Sequence, residues 1–261
     1  MHTDPLIIRH GGREISPGSG FFSCCSVRLY HIVNYFNKNE YLPPIVDSSE
    51  QFLLYKNNEL DDITFCYFKH YDEVEDFAYE NSVDFHFGYQ FKPNMKLDYI
   101  NLKLFMKKYF SPSKEIEEKI EELKSKYEID YNNTCVLFYR GNDKKTETSL
   151  KSYDEIIAHG NKILENDPNI KILIQSDETE FIETCIEKFK NNIVFKDEIR
   201  TMTKRNSSVD KCDQKNNFHY SKYFLAIVII MSKCKYFVTG SMGNIPMFVC
   251  LYRGNNDNFY F

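Results

Sequence analysis

From residue 134 onward the chain alternates short apolar runs with amphipathic stretches. The runs 134–139, 171–176, 193–195 and 236–239 are of strand length and are followed by Arg140-Gly141, Asp177, Lys196-Asp197 and Gly240, the pattern of strands buried on both faces. Between and after them, 153–165, 178–189 and 243–251 have apolar residues at helical spacing. Such alternation predicts right-handed βαβ crossovers and a parallel sheet with helices on both faces. The run 221–232 is apolar without a break from 223 to 231, so its period decides nothing. The strand at 236–239 follows too closely for 221–232 to be a second parallel strand, and it is expected to be a buried helix. The polar stretch 200–217 reads as a loop suited to ordering over a ligand.

The first part of the chain is less regular. Residues 6–8 form a strand candidate, followed by a run rich in glycine (Gly11, Gly12, Gly18, Gly20) with Arg13 and Pro17, and then by helical spacing over 21–36. Further strands are expected at 42–47 and 63–68, with short helical pieces at 48–55 and 71–79. The aromatic stretch 80–98, with His86, Tyr89, Phe91 and Pro93, shows no steady period and reads as irregular. A helix is expected at 114–126: Ser113 suits its N-cap, Glu115, Glu117 and Glu118 favour its positive end, and Ile116, Ile120 and Leu123 line one face. The boundary before it divides the chain into an N-terminal lobe, 1–112, and a C-terminal lobe, 113–261.

At 261 residues and 42% apolar, the chain is long enough for two compact lobes or one large α/β domain. A net charge of −5, with lysines interleaved among glutamates, argues against a general nucleic-acid binder. The eight cysteines lack a Cys-x-x-Cys pair and several fall in expected core elements, so reduced thiols are expected. The N-terminus has no basic and apolar leader pattern, and no run reaches membrane-spanning length. A cytoplasmic protein without a transmembrane segment is expected, and the sequons at Asn132 and Asn206 then carry no weight.

Three strand ends carry the candidate chemistry. The run Val136-Leu137-Phe138-Tyr139 ends on Arg140, then breaks at Gly141-Asn142-Asp143-Lys144. A guanidinium at a strand's carboxyl end suits bidentate contact with a phosphate. The alternative is that Arg140 pairs with Asp143 in a strand-end turn. A second run ends in Gln175-Ser176-Asp177-Glu178, where Asp177 suits either a ligand contact or the N-cap of the next helix. A third ends in Thr239-Gly240-Ser241-Met242-Gly243-Asn244, small residues before a helix, suited to an anion. Without Gly-x-Gly-x-x-Gly or a Walker lysine, neither this nor the N-terminal glycine-rich run is a dinucleotide or P-loop fingerprint.

Arg140-Gly141-Asn142-Asp143-Lys144 resembles the first motif of the GDP-fucose-dependent fucosyltransferase superfamily, His-x-Arg-x-x-Asp, with Phe138 at the histidine's place. The other two strand ends resemble its second and third motifs in the same order, and Ser19-Gly20-Phe21-Phe22-Ser23 is similar to the first acceptor-side loop of two-lobed glycosyltransferases. The resemblance implies a GT-B-like α/β fold of two Rossmann-like lobes, with the C-terminal lobe binding the nucleotide sugar. It implies transfer of fucose from GDP-fucose to a glycan hydroxyl, with inversion and without a metal or other cofactor. Arg140 would neutralise the β-phosphate, and Asp177 would accept from guanine. Thr239 and Ser241, with backbone from Gly240, Met242 and Gly243, would hold the diphosphate. Gly20 and His219 are further candidates at the crevice. Glu147, whose spacing from the motif is one residue shorter than in α1,6-fucosyltransferases, and Asp143 are the candidates for general base.

Competing functions are transfer from a different nucleotide sugar, and a non-catalytic nucleotide-sugar or glycan-binding relic, which Phe138 permits. A hydrolase with paired carboxylates is a third, but no pair stands out.

Overall fold

Five parallel strands form the main sheet of the computed structural model, which describes residues 5–8, 18–58, 61–78, 81–92 and 96–261. In chain order the elements are β1 (Leu6–Ile7), α1 (Phe21–Asn39), β2 (Val46–Asp47), α2 (Thr64–Tyr67), α3 (Tyr99–Tyr109) and α4 (Lys114–Lys126). Then come β3 (Thr134–Tyr139), α5 (Tyr153–Asn166), β4 (Lys171–Ser176), α6 (Thr179–Lys188), β5 (Asn192–Val194) and α7 (Val209–Cys212). The chain ends with α8 (Asn217–Lys233), β6 (Tyr236–Thr239), α9 (Asn244–Arg253) and β7 (Phe259–Tyr260).

The sheet runs β5-β4-β3-β6-β7, and each adjacent pair is parallel. Its first strand in sequence, β3, therefore lies in the middle. The chain builds outward from it through β4 and β5, then crosses to the other side for β6 and β7. The reversal falls between β3 and β6, and open α/β sheets bind ligands beyond the carboxyl ends of the strands at such a switch point.

All six residues of β3 are buried, because both faces of the sheet are covered. Cys135, Leu137 and Tyr139 point into a cluster with Ile156, Ile163, Phe181 and Cys185 of α5 and α6. Val136 and Phe138 point the other way, into a larger cluster that includes α4, α8 and α9. That cluster continues without a break into Phe21, Leu29 and Ile32 of α1 and Leu102 and Phe105 of α3. The strand period of two thus assigns alternate residues of one short run to two different cores.

Among the described residues before 113, the only sheet is the parallel pair β1 and β2. The rest is helix and turn, centred on α1. That helix is buried on most sides, and even Arg28 is 1% exposed. Its guanidinium donates from Nε to Ser48 Oγ (3.1 Å) and from Nη1 to the Tyr109 carbonyl (3.0 Å), and lies over the Phe110 ring. Burial lowers its pKa, opposed by Asp62.

The strand expected at 63–68 is the short helix α2 instead. A brief apolar run does not distinguish the two by period, and here Asp62 accepts the Thr64 N–H (3.0 Å) and starts a turn. Helix α3 was not expected. Its signals are Asp98, which caps it by accepting the Asn101 N–H (3.2 Å), and the spacing of Leu102, Phe105, Met106 and Tyr109. The run 221–232 is helical as expected, within the longer α8. Among the described residues of 80–98 there is a 3₁₀ turn, Phe87–Phe91, and 200–217 holds α7 and a second 3₁₀ turn. Gly11, Gly12, Arg13 and Pro17 of the glycine-rich run, and Pro93, lie outside the described residues.

All eight cysteines are free thiols, and six of them are buried. Burial pushes Cys24, Cys185, Cys234 and Cys250 up to about 12, so they are protonated and unreactive at neutral pH. No helix among the described residues is long and apolar enough to cross a membrane.

Candidate functional site

A cavity of about 380 Å³ opens at the carboxyl ends of β3, β4 and β6, on the switch point. This is within the usual range for small-molecule sites, about 300–1,000 Å³. Phe138, Arg140, Gln175, Ser176, Asp177 and Ser241 line it from the strand ends. The turn after β3 adds Asp143, Lys144 and Glu147, and residues 18–23 face them from the start of α1. Residues 198–200, 208–211, 220 and 221 close another side, so two parts of the polar stretch border the cavity.

Arg140 is the electrostatic centre. Nη2 lies 2.6 Å from Asp143 Oδ1, and Nη1 donates to Asp177 Oδ2. Burial alone would lower the guanidinium pKa; Asp177 and Asp143, with Asp210 nearby, overcome this and hold it above its ordinary value. Of the alternatives raised, the strand-end pairing of Arg140 is present and the N-cap role of Asp177 is not. Arg140 does pair with Asp143, and Asp177 does sit at the crevice, but with one oxygen on Arg140 and the other accepting the Gly141 N–H (3.0 Å). The N-cap of α6 is Glu178.

Glu178 is fully buried behind this cluster. Its carboxylate accepts from the Asn142 N–H (2.6 Å) and from the Tyr153 hydroxyl. Burial and then Glu178 push the Tyr153 phenol far above its usual range, so it remains a donor. Asn142 also donates from Nδ2 to the Asp177 carbonyl (3.0 Å) and accepts the Arg205 N–H (2.9 Å), which ties the turn after β3 to the polar stretch.

Two helices begin at the cavity, and both have glycine at the N-cap without a capping side chain: α1 after Gly20 and α9 after Gly243. Helix N-termini carry partial positive charge and favour anions. The two starts are joined by a hydrogen bond from Ser26 Oγ to Asn244 Oδ1 (2.8 Å). In α1, the Phe21 N–H is taken by the Tyr55 hydroxyl (2.8 Å). Beside α9, Lys144 Nζ pairs with Glu147.

Of the remaining candidates, Gly20, Ser241, Met242 and Gly243 line the cavity. Thr239 is fully buried, and its hydroxyl donates to the Ser241 carbonyl (2.8 Å), which shapes the turn rather than the wall. Gly240 is also behind the wall, where a Cβ would come 2.3 Å from Ile156 Cδ1; a glycine there lets α5 approach the end of β6. His219 is exposed and packs on Tyr220 and Tyr223. Tyr220 is the one of these that reaches the wall, and Arg200 stacks on its ring at 4.6 Å. Arg200 is also clasped by Asp210, Asn217 Oδ1 and the Asp213 carbonyl.

Sequence reading gave no individual role to Gln175, Gln90, Arg200 or Asp210, all on the wall. For Gln175 a signal existed: a polar residue inside a buried strand run that the parallel-strand pattern would fill with an aliphatic one. Among the described residues, no group of three His, Cys, Asp or Glu is placed to hold a metal ion.

Phe138 is 2% exposed and stacks on Phe237 with ring centroids 5.9 Å apart. Phe138→His is expected to lower stability by about 1–3 kcal/mol, because a polar ring enters an apolar cluster. Urea denaturation of the variant checks this: an unchanged midpoint would show that the wall tolerates the motif's histidine.

No family model and no curated protein matches the chain. Among solved structures, it is similar to a crystal structure of NodZ alpha-1,6-fucosyltransferase soaked with GDP-fucose, at 9% sequence identity and a TM-score of 0.35. The match covers 54% of this chain and 43% of that one, so less than half of the NodZ chain is spanned.

Proposed function

We propose that the crevice binds a nucleotide sugar and that the protein is a glycosyltransferase, with GDP-fucose the donor its strand-end motifs favour. The observation that carries this reading is the meeting of Arg140 with two glycine-led helix N-termini at the switch point of a doubly wound sheet. Such a place suits a diphosphate, which would lie on the start of α9 beside Ser241 and Gly243, facing Gly20. Residues 113–261 would then be the nucleotide-sugar lobe of a GT-B-like arrangement, and 1–112 the acceptor side.

In the transfer, the acceptor hydroxyl oxygen bonds to the sugar's anomeric carbon as the bond from that carbon to the β-phosphate oxygen breaks. The nucleoside diphosphate leaves with the electron pair, and the acceptor's proton passes to a carboxylate. Arg140 stabilises the charge developing on the leaving phosphate. Glu147, paired with Lys144 and open to solvent, is better placed to take the proton than Asp143, which faces Arg140. Asp177 would have to exchange Arg140 or the Gly141 N–H to read guanine.

The clamp of Asp143 and Asp177 on Arg140 also favours a second reading, in which the protein binds a nucleotide sugar without transferring it. Hydrolysis of the donor by the purified protein would exclude that.

Thermal unfolding with GDP, UDP, ADP and GDP-fucose tests the donor. A ligand at about 100 times its Kd is expected to raise the midpoint by about 5–10 °C for a chain of this size. GDP and GDP-fucose are expected to do so and UDP and ADP are not. A shift with UDP instead would change the donor, and no shift with any of them would remove the reading.

A further inference from the structure

Two carboxamides on the cavity wall are built to meet a neutral, hydroxyl-bearing group. Gln175 is 4% exposed and Gln90 is 7% exposed, and the Oε1 atom of each is buried without a hydrogen-bond partner among the described residues. Ser241 Oγ, on the same wall, is in the same state at 1% residue exposure. Buried polar atoms are normally paired, since leaving one unpaired costs about 1–3 kcal/mol. All three side chains line a single cavity, and rotation of each about its last side-chain torsion would turn the unpaired atom toward a ligand there.

Their placement points to the kind of ligand. Gln175 lies abreast of Phe138, which in turn is abreast of Thr239 across the switch point. Gln90 is on the 3₁₀ turn Phe87–Phe91, which packs against both α1 and α9, the helices whose N-termini face the cavity. The carboxamides thus come from opposite halves of the sequence to the ground beside the anion-favouring helix starts. A side-chain amide both donates and accepts without charge, as a sugar hydroxyl does. The charged residues of the wall are largely matched with one another, as Arg140, Lys144 and Arg200 are, whereas these neutral atoms are not.

We propose that Gln175 and Gln90 bind the hydroxyls of the sugar attached to the diphosphate, which Ser241 would hold, and so select the sugar rather than the nucleoside. This rests on the nucleotide-sugar reading above. Each amide would accept from one hydroxyl on a ring lying between the two halves of the chain.

The test compares the wild type with Gln175→Met and Gln90→Met, which keep length and remove the amide. Without ligand, both variants are expected to melt at or above the wild-type midpoint, since an unpaired buried polar group is removed. A fall of several degrees would assign these amides to internal structure and overturn the proposal. With ligand, each variant is expected to bind GDP as the wild type does and GDP-fucose about tenfold more weakly, the loss of one hydrogen bond from a buried neutral group. Equal weakening for GDP would mean that the amides read the nucleoside, and unchanged GDP-fucose binding would mean that they read nothing; either result overturns the proposal. If the wild type responds to neither GDP nor GDP-fucose, the donor reading fails on its own. UDP-glucose and lactose then decide for the amides: a response that Gln175→Met abolishes keeps the sugar site, and no response to either ends it.

Discussion

Arg140→Ala is expected to lower transfer from GDP-fucose by at least about 10²–10³-fold, the loss seen when one preorganised donor to a developing anion is removed. The size of the effect follows from position. Arg140 stands at the end of the central strand, at the switch point, with its guanidinium held between Asp143 and Asp177. Two carboxylates fix its orientation in advance, so little reorganisation is needed when a phosphate arrives. They also mean that the alanine variant leaves Asp143 and Asp177 facing one another without their cation. A stability loss of about 1–3 kcal/mol is therefore expected as well, below the value for a fully buried broken pair because Asp143 is 27% exposed. Arg140→Lys separates the two effects. The ammonium retains the charge and much of the stability, but it lacks the planar fork that spans both aspartates and a phosphate, so transfer still falls. Single-turnover transfer measured beside urea unfolding of both variants is the check. Full activity in Arg140→Ala would take the chemistry away from this crevice.

How much of this was legible beforehand depends on how local the cause is. Strands β3, β4, β5 and β6 and helices α5, α6 and α9 were readable because an apolar run bounded by turn residues is a local signal, and β-α-β alternation leaves few ways to arrange them. The buried helix α8 was reached by elimination, since β6 follows it too closely for another parallel strand. Strand order needed the structure: nothing in the run Thr134–Tyr139 says that it becomes the centre of the sheet. The N-terminal part was read least well because its elements are decided by contacts distant in sequence. Asp62, for example, accepts both the Thr64 N–H, two residues away, and the Ser48 N–H, fourteen residues back, and turns an apparent strand into α2.

The site divides in the same way. Arg140, Asp177 and Ser241 were visible because each ends a strand, and strand ends are where such sheets place ligands. The partnership of Arg140 with Asp177, 37 residues apart, was not, because it depends on β3 and β4 being neighbours in register Tyr139 to Ser176. Gln90 gave no signal at all. Its role is set by the packing of an irregular turn against α1 and α9.

Gly141→Ala is expected to destabilise the protein by about 2–4 kcal/mol, at the upper end for one added methyl group. A Cβ at this position would lie 2.1 Å from Glu178 Oε1 and 2.2 Å from its carboxyl carbon. A clash with the end of a side chain is usually relieved by rotation, but Glu178 is fully buried and held on both sides by the Asn142 N–H and the Tyr153 hydroxyl. Moving the carboxylate breaks those bonds, and moving the backbone pulls the Gly141 N–H from Asp177 and shifts Arg140. Gly240→Ala is expected to be milder, since the nearest atom there is the flexible tip of Ile156, although the Tyr139 ring at 2.7 Å limits the relief. A double-mutant cycle isolates the cause at Gly141. Glu178→Ala alone loses stability by leaving the Tyr153 hydroxyl and the Asn142 N–H unpaired, but it also empties the space a Cβ needs. Gly141→Ala should then cost almost nothing further in that background. An equal cost in both backgrounds would place the strain in the backbone turn itself. It would also separate the glycine of the Arg-Gly-Asn-Asp turn from the buried carboxylate behind the site.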